Sequence, residues 1–170
     1  FVIDSATQFI PIRPTAYSKN KRSKFYKEMM EVYEVRESLT DEQREIAAFW
    51  DCNPYVMNIT GHAMFATKKI TPGGHWMAIT TLVTQDADLG LMPTIEAYAR
   101  TSIALADAFI SCWDEKYRSN LIRPETVIQD MVDPTWQPLL QTPPFPEYTS
   151  GHSVISTAAA LSLTKLLGDS

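Results

Sequence analysis

The run from Leu91 to Arg118, LMPTIEAYARTSIALADAFISCWDEKYR, holds no glycine and, past Pro93, no proline. Good helix formers, alanine above all, recur through it, so it predicts one long helix near 91–118 that starts close to Pro93. A chain with such a helix must bury its apolar side against other elements, and the flanking segments supply more helices. Pro72 and the paired glycines Gly73 and Gly74 mark a start for a helix near 74–87. Lys24 to Glu37 places Phe25, Met29, Val32 and Tyr33 at helical spacing. SLTDEQREIAAFWDC follows, with Thr40 as N-cap and Gln43 three residues on, the pattern of a capping box. No strand-like alternation persists, so the expected fold class is all-α, a helical bundle.

Residues 1–23, including FIPIRPTAYSKNKRS, mix prolines with polar residues and show no helical period. They are expected to form an extended N-terminal arm over the surface, with the helical bundle domain spanning 24–170. Pro124 to Pro146, which contains Pro134, Pro138, Pro143 and Pro144, is expected to be a long irregular connector. Connectors of that length inside compact domains tend to be functional or disordered.

A length of 170 residues with 45% hydrophobic residues fits one globular domain with an ordinary core. The net charge of −5 is distributed over mixed-sign segments without a basic stripe, which argues against nucleic acid or an anionic membrane as partner. The longest apolar runs fall short of the roughly 18 residues that suggest a membrane span. Cys52 and Cys112 form no C-x-x-C, so neither zinc nor a redox dithiol is indicated, and free buried thiols are expected. Nothing signals a nicotinamide, flavin or haem site. The chain begins at Phe1 rather than Met, and both of its ends read as cut points in a longer protein.

Chemistry concentrates in FPEYTSGHSVISTAAALSLTKLLG, residues 145–168. Ser150 and Gly151 stand at the start of an apolar helix that Gly168 caps at its far end. The first N–H groups of a helix, with the positive end of its dipole, attract anions. Gly151 has no Cβ and admits a ligand close to the backbone, and the Ser150 hydroxyl adds a hydrogen bond. His152 is then within reach of the bound group and can exchange a proton near neutral pH. The plainer alternative is that Ser150 is an N-cap and His152 a surface residue. In KYRSNLIRP, Lys116 and Arg123 lie seven residues apart. That is about 20° short of two helical turns, so both cations could face one anion. Solvated surface cations are the alternative, and Pro124 biases Arg123 away from helical geometry.

Lys-x6-Arg-Pro, a proline-rich connector and Ser-Gly-His together resemble two of the three signature segments of the type 2 phosphatidic acid phosphatase superfamily. That superfamily includes the vanadium-dependent haloperoxidases. Trp113 three residues before Lys116, the DPTWQPL step and PPFPEYTSGHS make residues 107–160 look more like the haloperoxidase-related branch. Thr149 departs from the pattern, standing where the family usually has proline. The third segment, Ser-Arg-x5-His-x3-Asp, is missing: the three histidines are His62, His75 and His152, and none follows an arginine at six residues.

The resemblance implies an oxyanion pocket in which Lys116, Arg123, Ser150 and Gly151 bind phosphate or vanadate and His152 is the acid–base residue. The histidine that attacks phosphorus or ligates vanadium is expected beyond Ser170, in a remaining C-terminal part of the same protein. Three uses follow from it: vanadate-dependent oxidation of halide by hydrogen peroxide, hydrolysis of a phosphomonoester, or oxyanion binding without catalysis. The first is favoured by the residues around Trp113 and Trp136. The partners implied are a small anionic substrate, or halide and peroxide, and the resemblance suggests a periplasmic or secreted location.

Other polar residues have plainer expectations. His62 in NITGHAMF reads as a helix-start or packing residue, and His75 in GGHWM as a hydrogen-bonded structural histidine at a helix start. Asp86, Asp88, Glu96, Asp107, Asp114 and Glu115 are scattered through helical stretches, mostly solvated, with no divalent-metal constellation among them. Trp113, Trp136, Phe145 and Tyr148 are expected to pack beside the site and could limit which organic group enters.

Overall fold

A computed structural model describes residues 2–53, 55–60, 62–68 and 70–168, with the backbone alone for 55–60 and 63–68. The architecture is an all-α helical bundle bearing one short hairpin. Its elements are α1 (Lys24–Glu37), α2 (Asp41–Phe49), β1 (Tyr55–Thr60), β2 (Ala63–Lys68), α3 (Pro72–Asp86), α4 (Leu91–Ser119), α5 (Pro124–Met131) and α6 (Gly151–Leu167). They group into two compact units, one of residues 1–10, 52–115 and 149–170, the other of residues 11–51 and 116–148.

The start signals act as their chemistry dictates. Ser23 accepts from Tyr26 N–H, and Thr71 accepts from Gly74 N–H ahead of Pro72 in the first turn of α3. Thr40 accepts from Gln43 N–H at 3.2 Å while the Gln43 side chain accepts from Thr40 N–H at 2.9 Å, closing the capping box. α4 covers the predicted long helix, and just past its end Asn120 has a φ of 47°, a left-handed conformation that asparagine tolerates. Gly168 ends α6 at a φ of 86°.

Two segments differ from the sequence reading. Pro124–Met131 is helical rather than irregular: Pro124 occupies the first turn, where its missing N–H costs nothing, and Val127 and Ile128 are buried. Tyr55–Thr60 and Ala63–Lys68 pair antiparallel, with Thr60 opposite Ala63. Their β-branched and aromatic residues suit a strand, and the two-residue connection suits a hairpin. His62 therefore lies exposed in a hairpin turn, not at a helix start.

In the first unit α3 and α6 pack together. Ile155, Ala159 and Leu163 recur every four residues on α6 and are buried, and Leu105 of α4 joins Ile155 and Ala159 in a core flanked by Trp76, Met77, Phe109 and Trp113. The buried hydroxyls of Thr80 and Thr84 donate to the carbonyls of Trp76 and Thr80, which lets polar residues sit inside α3. Asp107 is buried and accepts from the N–H groups of Val2 and Ile3, and Glu115 is buried too, so these two acids are not solvated. Ile155→Ala is expected to cost about 2–4 kcal/mol, because the site is closed on every side. A shifted urea midpoint would measure it.

In the second unit α1 packs on α5. Phe25 and Met29 meet Val127, Ile128 and Trp136 in a buried cluster, against which Tyr33 also packs. Trp136 is thus a core residue. Val32 sits at the same helical spacing but is exposed, and lines a groove with Val35, Pro138 and Leu139. Residues 11–23 carry no helix or strand and are tied down by Tyr148 Oη donating to Ile12 O at 2.6 Å and by Lys19 pairing with Asp130 at 2.9 Å.

Candidate functional site

The last turn of α4 presents Lys116, whose cationic side chain suits the negative end of the helix. It is 1% exposed, and a buried ammonium needs acceptors. Its Nζ donates to the carbonyls of Pro146 and Glu147 at 2.9 and 3.0 Å. Arg123, extended as the N-cap of α5, donates from Nε to Phe145 O at 2.6 Å and from Nη1 to the Glu147 carboxylate at 2.7 Å. Lys116 Nζ and the Arg123 guanidinium each lie 5.0 Å from the centre of the Phe145 ring.

The two cations therefore meet on three successive residues, 145–147. The reason lies in the connector's composition. Pro143, Pro144 and Pro146 have no N–H, so the segment cannot pair into a ladder, and its carbonyls take side-chain donors instead. The sequence reading paired Lys116 with Arg123 on one helical face. The structure brings them together by a different route, since α4 ends at Ser119 and Arg123 has a ψ of 141°.

Ser150, Gly151 and His152 belong to the other unit. Ser150 has an extended backbone and its Oγ accepts from Ser153 N–H at 3.2 Å, so it is the N-cap of α6. Gly151 opens the helix, and a Cβ there would meet the Trp113 ring at 3.6 Å, an ordinary contact. Packing alone thus does not require glycine. Ser150 and His152 are exposed at the end of the helix where free N–H groups gather. Thr149 Oγ1 donates to Cys112 Sγ at 3.3 Å, and the Trp113 and Phe109 rings lie 5.1 Å apart.

Cys52 and Cys112 are buried thiols that are not joined to each other in a disulfide. Cys52 Sγ lies 3.3 Å from Nδ1 of His75, which is the buried, hydrogen-bonded histidine expected at the start of α3. Among the described residues no group of three or more histidine, cysteine or acidic side chains is placed to hold a metal ion, and no helix is long and apolar enough to cross a membrane. The residue that sequence reasoning missed is Glu147. A lone acid among prolines, between two cationic segments and the Ser-Gly-His step, was its only signal.

A bacterial vanadium-dependent iodoperoxidase of known crystal structure is 56% identical to this chain and superposes with a TM-score of 0.90 over 99% of it. The chain belongs to the vanadium-dependent haloperoxidase-related branch. Residues 129–170 match the family model described as the VCPO second helical-bundle domain. No curated protein matches the chain. It spans 40% of the length of the iodoperoxidase, so it corresponds to part of that relative.

Proposed function

We propose that the whole protein oxidises halide, iodide among them, with hydrogen peroxide in a vanadate-dependent reaction, and that this chain contributes most of the vanadate-binding residues. The observation that carries the reading is the 56% identity to an iodoperoxidase over nearly the whole chain. In this reading Lys116 and Arg123 neutralise the charge of the oxyanion, and Ser150 Oγ and the Gly151 N–H donate hydrogen bonds to it. His152, at the exposed end of α6, holds or releases a proton at an imidazole nitrogen. Bound vanadate supplies the Lewis-acidic centre at which peroxide is activated. In this reading the arginine and histidine of the missing Ser-Arg-x5-His-x3-Asp segment would come from the remainder of the protein.

The test is iodide oxidation by the full-length protein with and without orthovanadate, run beside hydrolysis of a phosphate monoester. Activity that appears only with vanadate is expected. Monoester hydrolysis inhibited by vanadate would instead mark a phosphatase, and silence in both assays a non-catalytic oxyanion-binding module. Arg123→Ala is expected to weaken the apparent affinity for vanadate roughly 10- to 100-fold, the effect of losing charge-assisted hydrogen bonds. An unchanged half-saturating vanadate concentration would remove Arg123 from the site.

A further inference from the structure

Glu147 is the residue on which both cations converge. Its carbonyl accepts from Lys116 Nζ at 3.0 Å, its carboxylate accepts from Arg123 Nη1 at 2.7 Å, and its N–H donates to Leu121 O at 2.9 Å. The backbone of Glu147 is thus held from both sides without help from its side chain. Arg123 is likewise held through Nε on Phe145 O and by the Phe145 ring. The carboxylate is therefore not what fixes the loop, yet it places a negative charge directly on an arginine proposed to bind an anion. The side chains of the pair are 20% and 38% exposed, so solvent screens this charge incompletely.

We infer that Glu147 is a specificity-determining residue of the oxyanion site, an inference that rests on the oxyanion reading given above. Its carboxylate occupies one edge of the guanidinium and offsets its charge, which leaves the Nη2 donors for a ligand. The added negative charge disfavours anions in proportion to the charge they carry. A site built on two cations is in this way kept from holding phosphate-like dianions tightly.

The experiment is calorimetric titration of the vanadate-free full-length protein with inorganic phosphate at one pH, for wild type, Glu147→Gln and Glu147→Asp. Glu147→Gln keeps the side-chain shape and the acceptor for Nη1 but removes the charge, and is expected to bind phosphate roughly tenfold more tightly. Glu147→Asp keeps the charge and is expected to stay within about threefold of wild type. A merely structural carboxylate behaves otherwise: its loss loosens the segment and weakens binding. Equal or weaker binding by Glu147→Gln, or equal tightening in both variants, would overturn the role of the charge. A wild-type protein that binds neither phosphate nor vanadate would overturn the oxyanion reading beneath it, which is a separate outcome.

Discussion

Lys116→Ala is expected to lower the folding free energy by about 3–5 kcal/mol, and in the full-length protein to abolish vanadate-dependent turnover. The stability loss follows from burial. The side chain is 1% exposed, and its ammonium is a donor to two carbonyls, of Pro146 and Glu147. Truncation leaves both carbonyls short of a donor, at about 1–3 kcal/mol each, and also removes a buried aliphatic stem. Against a total stability of about 5–15 kcal/mol this is a large fraction. Lys116→Met separates the two contributions, since it restores the stem without the charge. It is expected to recover roughly 1–2 kcal/mol of stability and none of the activity. Urea denaturation of the chain measures the first effect, and a loss under 1 kcal/mol would mean the buried ammonium is dispensable to the fold. Lys116→Met with near-normal turnover would mean its charge plays no part in binding.

Lys116 also shows where sequence reasoning succeeds and where it stops. Its place in the last turn of a long helix was legible, because nothing between Pro93 and Arg118 breaks a helix, just as the N-caps Thr40 and Ser150 were legible because their chemistry is local. Its carbonyl partners were not, because they lie 30 and 31 residues on and no periodicity links them. Asp107 is the same case at longer range: 105 residues separate it from the Val2 N–H it accepts. The hairpin was missed for the opposite reason. Its signal is local but short, and Thr60-Gly61-His62 imitates the helix-opening Thr/Ser-Gly-His step that is real at Ser150. α5 hid behind its own proline, which read as part of a proline-rich loop although a proline in a first turn starts a helix.

His152 poses the converse test to Lys116. It lies exposed in the first turn of α6, with the helix start fixed by Ser150 Oγ on Ser153 N–H and the helix body fixed by Ile155, Ala159 and Leu163. Nothing in the core depends on its ring, so His152→Ala is expected to change stability by no more than about 0.5 kcal/mol. Its effect on vanadate-dependent iodide oxidation by the full-length protein is expected to be roughly 10²- to 10⁴-fold, the range for a positioned acid–base group. The combination is informative because the two quantities move apart. A large fall in turnover with an unchanged melting temperature leaves chemistry as the only role for this side chain. Turnover within threefold of wild type would demote His152 to a surface residue of the helix N-terminus, and the proton step would have to fall to a group outside this chain.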